Sequence, residues 1–173
     1  MLTIVKQILM EPKTFFSSLY RERGIKESFI FLGILMLFYV IVAGIMGWIV
    51  LNTFFADIYV LTIWKYIGLL LFVYFAALAL SFVIAGIIFL WIKIWGGRNV
   101  SYDKAYQLYV FSRTPTMVFG WIPIVNYLIW IWSTVLLIIG TMSWFGIQRG
   151  KAILMYIIPI LLILVGYLIY FVV

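Results

Sequence analysis

The sequence contains no cysteine, no histidine and only five acidic residues. Without cysteine there is neither a disulfide framework nor a thiolate nucleophile or metal ligand. Without histidine the chain lacks the commonest general base and the commonest metal ligand. The acids are scattered and form no pair within an apolar run: Glu11, Glu22, Glu27, Asp57 and Asp103. These absences disfavour an enzyme and predict that the chain has no metal site and no cofactor.

Charged residues of both signs are also scarce. They make up 10% of the 173 residues, whereas 68% are hydrophobic and the mean hydropathy is +1.25. A soluble domain is about 45–50% apolar and about 25% charged. The composition therefore predicts a chain that is solvated mostly by a lipid bilayer. The net charge of +7 would suggest nucleic acid in a soluble protein, but here it predicts contacts with anionic lipids and no nucleic-acid partner.

Three uncharged runs are long enough to cross a membrane as helices. They cover Ser28–Leu51 with 24 residues, Tyr66–Ile92 with 27 and Ala152–Val173 with 22. At 1.5 Å per residue, each can cross a hydrocarbon core of about 30 Å. The first run is also too long for the core of a cleavable signal peptide, so we expect it to remain as an anchor.

A fourth uncharged run, Thr114–Gln148, is too long for one span. We divide it at a turn around Pro123 into spans over Ala105–Trp121 and Ile124–Phe145, because this arrangement agrees with the positive-inside rule. It leaves only Lys65 outside and ten basic residues inside: Lys6, Lys13, Arg21, Arg23, Lys26, Lys93, Arg98, Lys104, Arg149 and Lys151. The prediction is five spans, with the N-terminus cytoplasmic and the C-terminus outside.

The predicted fold is therefore an all-α, polytopic five-helix membrane bundle over residues 28–173, preceded by a cytoplasmic amphipathic segment over residues 1–27. In that segment, Pro12 suits the first turn of a second short helix. Phe15, Phe16 and Leu19 are expected to enter the cytoplasmic interface, with Lys and Arg side chains attracting anionic headgroups. The alternative is a solvated anchor that only fixes the orientation of the chain.

Arg113 lies about 12 Å into the predicted third span, where a charge costs about 2.5–3.5 kcal/mol. Pro115 cannot donate to the Phe111 carbonyl and should kink the helix. Ser112 is a nearby donor for that carbonyl, and the candidate counter-charges are Asp103, Glu27 and Glu22. We predict that Ser112, Arg113, Pro115 and Asp103 form an intramembrane polar site.

Three partners for Arg113 remain open at this point. The guanidinium pairs with an acid, binds a lipid headgroup flanked by Arg98 or Lys104, or only extends to the cytoplasmic interface. Gly96 and Gly97 are expected to cap the second span, although close approach of their N–H groups to a headgroup is an alternative. Small residues such as Ser81 and Ala85 favour close helix packing, within the chain or in a homo-oligomer.

The order of several short motifs resembles the Yip family, the Ypt/Rab-interacting or YIPF-type domain. The motifs are EPKTFF at 11–16, GGRNVSY at 96–102, VFSRTP at 110–115 and KA at 151–152. The resemblance covers nearly the whole chain and implies five spans with a cytoplasmic N-terminus. It also implies vesicle traffic and Rab partners in eukaryotic members. The N-terminal segment here has only 27 residues, so the chain looks more like compact prokaryotic members in the cell membrane.

Two classes of function follow. The first is a non-enzymatic Yip-type adaptor that organises membranes or traffic through lipids or partner proteins at its cytoplasmic face. Its predicted contact residues are Lys6, Lys13, Phe15, Phe16, Arg21, Arg23, Lys26, Arg98 and Lys104. The second is a small transporter, channel or lipid-handling protein with a polar cavity around Arg113.

Overall fold

A computed structural model describes residues 1–17, 24–54 and 62–172. These residues contain helices and no strand, so the all-α prediction is confirmed for them. Arg21, Arg23 and Asp57 lie outside the described residues. In chain order the helices are α1 (Leu2–Met10), α2 (Pro12–Ser17), α3 (Ile25–Phe54), α4 (Ile63–Ile94), α5 (Tyr102–Ser112), α6 (Thr114–Phe119), α7 (Pro123–Phe145) and α8 (Arg149–Val172).

Four of these helices are long and apolar enough to cross a membrane: α3, α4, α7 and α8. They correspond to four of the five predicted spans. Their apolar residues are distributed around the whole helix rather than along one stripe, and much of their surface is exposed. Such a surface is stable against lipid tails and unstable in water, which agrees with a multi-pass membrane protein.

The predicted third span is not one continuous helix. It is divided at Arg113 into α5 and α6. Pro115 is the physical reason, because a proline cannot donate to the carbonyl four residues earlier and its ring crowds that group. Proline is favoured in the first turn of a helix, where it stands in α6. No continuous fifth helix of spanning length therefore occurs among the described residues, and the five-span count stays a prediction.

Helix α5 is the central element of the bundle. Every residue from Ala105 to Ser112 is buried, although only some of them are apolar. The helix packs between α3, α4 and α7. Tyr106 is fully buried, where its ring stacks on Phe82 and its hydroxyl lies 3.2 Å from the Ser81 hydroxyl. Because other helices surround α5, its surface does not have to be apolar toward lipid. Its polar residues are therefore compatible with a membrane bundle.

Helices α3 and α4 approach closely through glycine. The Tyr66 hydroxyl donates to the Gly44 carbonyl at 2.8 Å, and the Tyr74 hydroxyl donates to the Gly33 carbonyl at 3.3 Å. A Cβ atom on Gly47 would lie 2.7 Å from the Tyr66 hydroxyl oxygen, so a side chain there needs a shift of the tyrosine. These contacts fix an antiparallel pair through small residues.

The turn predicted around Pro123 is present and joins α6 to α7. Pro123 is in the first turn of α7, and the chain reverses so that α6 packs against α7. The Thr116 and Ser133 hydroxyls are 2.9 Å apart across this pair. Thr141 and Tyr156 make a similar contact of 2.7 Å between α7 and α8.

Pro159 interrupts the hydrogen bonds of α8, as the sequence indicates, and the Met155 carbonyl loses its helical donor. The indole N–H of Trp91 in α4 replaces that donor, at 3.0 Å from the Met155 oxygen. The Met155 carbonyl that Pro159 leaves without a helical donor therefore joins α4 to α8.

We expect Trp91→Phe to lower the free energy of unfolding by about 1 kcal/mol, the scale of one interhelical hydrogen bond in a membrane. In a Pro159→Ala background the backbone N–H at position 159 can again donate to the Met155 carbonyl. Trp91→Phe should then lower the free energy of unfolding by less. Loss of ring packing is common to both backgrounds and cancels in the comparison. Unfolding in mild detergent measures the four variants, and an equal cost in both backgrounds would contradict the assignment.

Candidate functional site

The C-terminal end of α7 brings together three segments that are distant in sequence. The Phe16 carbonyl in α2 accepts hydrogen bonds from the Ser143 hydroxyl at 2.8 Å and the Trp144 indole at 2.7 Å. The Phe145 carbonyl accepts from the Arg98 backbone N–H at 2.9 Å. Helix α8 begins four residues after α7 ends. The N-terminal segment, the α4–α5 loop and the α7–α8 loop therefore share one end of the bundle.

We call this region the basic end, because most of its charged side chains are cationic. Arg98, Arg149 and Lys151 are exposed there, and Lys104 is half-buried. Lys93, in the last turn of α4, is also exposed. Basic residues that the sequence placed on one side of a membrane thus lie on loops and helix ends that the fold brings close together.

The glycine pair at 96–97 caps α4. Gly96 has φ of +80°, a left-handed conformation that favours glycine. Its N–H donates to the Lys93 carbonyl at 3.2 Å, and the Gly97 N–H donates to the Ile92 carbonyl at 3.0 Å. This is the Schellman arrangement of a helix C-terminus. Because both N–H groups have partners inside the chain, the capping interpretation holds and the headgroup interpretation does not.

The start of α5 is a capped helix terminus beside that loop. The Ser101 side chain accepts from the Lys104 backbone N–H at 3.4 Å, and Asp103 lies in the first helical turn, where a negative charge is favourable. The Lys104 ammonium donates to the Asn99 carbonyl at 3.3 Å. The α4–α5 loop is therefore held by its own contacts and presents the exposed Arg98 side chain.

The structure changes the interpretation of Phe15 and Phe16. Their side chains are 2% and 1% exposed, so they lie in the core rather than in contact with lipid. Phe15 packs edge-to-face on Phe111 with 5.1 Å between ring centroids, and Phe16 packs on Trp144 at 5.3 Å. The predicted lipid contact through these two rings is wrong in this conformation, because burial against α5 and α7 satisfies them.

Unlike the two phenylalanines, the predicted basic contact residues of the N-terminal region are exposed where the structure describes them. Lys6, Lys13 and Lys26 are exposed, whereas Arg21 and Arg23 lie outside the described residues. Pro12 begins α2, as the sequence predicts. The predicted start of α2 is therefore correct. Lys13 is exposed on this helix, whereas Phe15 and Phe16 are buried in the core.

Arg113 lies between α5 and α6 and is half-buried. Its guanidinium carbon is 5.9 Å from the centroid of the Tyr109 ring and 5.5 Å from that of the Trp130 ring. Both distances are within the range of a cation–π contact. Aromatic rings therefore lie beside the guanidinium, where the sequence analysis considered an acid.

The predicted polar site is only partly brought together. Ser112 and Pro115 are buried next to Arg113, but Asp103 is exposed at the opposite end of α5. Ten residues of helix separate Asp103 from Arg113 by about 15 Å, which is too far for an ion pair. The Ser112 hydroxyl donates to the Tyr109 carbonyl at 2.9 Å rather than to Phe111, as is common for serine within helices.

Sequence reasoning missed an apolar cavity of about 670 Å³ between α4, α7 and α8. Ile88 and Trp91 of α4, Trp130 and Thr134 of α7, and Tyr156 and Pro159 of α8 contribute to its wall. Arg113 is not a lining residue, but Trp130 belongs both to the wall and to the surroundings of Arg113. No pattern in one helix could reveal a cavity that forms only where three helices meet.

The arrangement defines a class: a helical multi-pass membrane protein with one basic end and no metal-binding cluster among the residues that the structure describes. The Yip1 domain family model matches residues 6–170, nearly the whole chain. The chain therefore belongs to the Yip1 domain family, a non-enzymatic family of membrane proteins, and the resemblance seen in its motifs is confirmed. Neither the curated proteins nor the solved structures provide a significant match.

Proposed function

We propose that this protein is a non-enzymatic membrane-organising or trafficking-type adaptor whose basic end contacts anionic lipid headgroups or acidic surfaces of partner proteins. One observation carries the proposal. The end of α7 holds α2 and the α4–α5 loop through hydrogen bonds from Ser143, Trp144 and Arg98. Exposed cations on these elements are therefore presented by a rigid scaffold rather than by independent tails.

Membership of the Yip1 domain family supports an integral membrane role, and the distribution of charge supports the cytoplasmic side for the basic end. The N-terminus is then cytoplasmic and the C-terminus lies outside. Because the chain has no cysteine of its own, a Gly150→Cys variant tests this orientation. An impermeant thiol reagent should label it only from the cytoplasmic side, and labelling from outside would reverse the assignment.

A transporter or channel is the weaker proposal. Transport requires a polar path with ionisable groups near the middle of the membrane. The residues next to Arg113, including Ser112, Thr114 and Pro115, are fully packed, and the large cavity nearby is apolar. These features favour an adaptor with a lipid-accessible side over a polar conduit.

The basic end can be tested with the whole protein in zwitterionic nanodiscs, where both ends are accessible. We expect capture by liposomes that contain phosphatidylglycerol, and an about tenfold to thirtyfold weaker capture of the Arg98→Gln/Arg149→Gln variant. The expected size follows from about 1 kcal/mol per cation near an anionic surface. Cosedimentation at low salt measures it, and added salt should reduce the difference.

The matched control is Lys65→Gln, because Lys65 lies at the start of α4, away from the basic end. It should leave capture unchanged. Equal capture of wild type and the double variant would contradict a lipid role for the basic end. Loss of capture in Lys65→Gln to the same degree would show that net charge, rather than this end of the bundle, governs binding.

A further inference from the structure

We propose that the cavity between α4, α7 and α8 binds one acyl chain of an anionic membrane phospholipid, whose headgroup contacts Arg113. This site differs from the basic end. The proposal does not rest on the adaptor function, because it concerns the side of the bundle rather than its loops.

The chemistry of the cavity wall selects an apolar occupant. Four lining side chains carry a polar atom, and those of Trp91, Thr134 and Tyr156 have a hydrogen-bond partner inside the protein. The Trp91 indole donates to the Met155 carbonyl at 3.0 Å, and the Thr134 hydroxyl donates to the Trp130 carbonyl at 3.0 Å. The Tyr156 hydroxyl is 2.7 Å from that of Thr141. With these groups satisfied, the wall offers little to water, which needs several polar partners to occupy a cavity.

The position of the cavity indicates that a lipid chain is its occupant. All three helices that form it are long and apolar enough to cross the membrane. Several lining side chains are strongly exposed, with Ile87 at 61% and Leu162 at 67%, so the cavity opens on the lipid side of the bundle. Its volume of about 670 Å³ is within the range of small-molecule sites, about 300–1,000 Å³. An opening of this kind in the hydrocarbon region is filled by lipid chains.

Charge complementarity selects an anionic lipid. The Trp130 ring forms part of the wall, and the Arg113 guanidinium carbon is 5.5 Å from its centroid. Contacts with aromatic rings leave the five N–H donors of arginine in need of acceptor oxygens. A phosphate satisfies several of these donors at once, as guanidinium does well. The cation beside an apolar cavity therefore matches a lipid whose phosphate headgroup carries a net negative charge.

The test uses the full-length protein in nanodiscs with equal parts of phosphatidylglycerol and phosphatidylcholine, released into mild detergent. Native mass spectrometry then measures retained lipid. We expect one phosphatidylglycerol per chain in the wild type. In Arg113→Leu the affinity for phosphatidylglycerol should fall about tenfold, the effect of losing about 1.4 kcal/mol in one charge-assisted contact, and the retained lipid should decrease accordingly. Arg113→Lys should retain part of it, because the charge remains.

A second variant tests the acyl-chain cavity independently of charge. Thr134→Phe places a ring in the cavity and should also displace phosphatidylglycerol. Its matched control is Leu128→Phe, an exposed position of α7 outside the cavity wall, which should retain the lipid. Elution volume and helicity establish that each variant is folded. If Arg113→Leu fails to fold, the Thr134 and Leu128 pair still decides the question.

Three results would overturn the proposal. The first is equal retention in Thr134→Phe and Leu128→Phe. The second is equal retention of phosphatidylcholine and phosphatidylglycerol by the wild type. The third is a dimer that dissociates in Thr134→Phe without loss of lipid, which would assign the cavity to a second copy. The Arg98→Gln/Arg149→Gln variant should keep this lipid, so failure at the basic end and failure at the cavity are distinguishable.

Discussion

Phe16→Ala is expected to lower the free energy of unfolding by about 3 kcal/mol, the lower end for Phe→Ala in protein cores. The Phe16 side chain is 1% exposed and packs on Trp144, so its removal leaves a cavity between α2 and α7. We take the lower end because lipid tails are as apolar as a protein core, which reduces the transfer component of the loss.

Thermal unfolding in mild detergent, followed by tryptophan fluorescence, measures this loss. Limited proteolysis should also cut the variant near α2 faster, because the substitution removes the ring contact between Phe16 of α2 and Trp144 of α7. Met10→Ala is the control, since Met10 is 72% exposed at the end of α1 and should change little. If Phe16→Ala unfolds like the wild type while binding membranes less well, the segment lies in the lipid interface and the docked arrangement is wrong.

The behaviour of α2 shows what a sequence pattern can and cannot determine. Pro12 marks the start of the helix because proline is tolerated in a first turn, a local property that any reader of the sequence can use. Two phenylalanines beside a lysine are compatible with a lipid interface or with a protein core. The choice depends on Ser143 and Trp144, which are more than 120 residues away and donate to the Phe16 carbonyl. A long-range contact of this kind has no local signature.

The long apolar helices were predictable for a different reason. A bilayer imposes length and hydropathy on each span separately, so α3, α4 and α8 can be identified without knowledge of their neighbours, whereas α7 also requires the distribution of charge along the chain. The length and hydropathy of α5 are not set by the bilayer in this way, because other helices, rather than lipid, surround it. Tyr106 and Ser112 make hydrogen bonds within the protein, and hydropathy alone cannot distinguish an enclosed helix with such polar residues from a segment outside the membrane.

The prediction for Arg113 at the candidate site was partly correct. The cost of a charge in an apolar run correctly indicates that the residue needs particular surroundings. The sequence offered Asp103 as a partner because this acid is on the predicted cytoplasmic side, from which it could reach the depth of Arg113. A separation of ten positions along the helix places the two charges about 15 Å apart, and rings from α5 and α7 lie near Arg113 instead of the acid. Aromatic partners are hard to predict in a chain whose aromatic content is 20%.

Gly140 is a position where a larger side chain should be poorly tolerated. A Cβ atom there would lie 2.9 Å from Phe16 Cε1 and would also contact the Leu108 side chain. Leu108 and Phe16 are both buried, so neither can move without disturbing α5 or α2. Gly140→Leu should therefore destabilise the protein by about 3 kcal/mol, the upper end for overpacking, despite the better helix propensity of leucine.

The matched control is Gly68→Leu in α4, because a Cβ atom at Gly68 has no neighbour within 4 Å. This variant should keep or slightly raise stability, since leucine is the better helix former. Unfolding of both variants in the same detergent separates crowding at the α2, α5 and α7 junction from a general effect of leucine in a span. Equal stability of the two variants would mean that α2 does not pack against α7 at this point, and the close contact that positions the basic end would be lost with it.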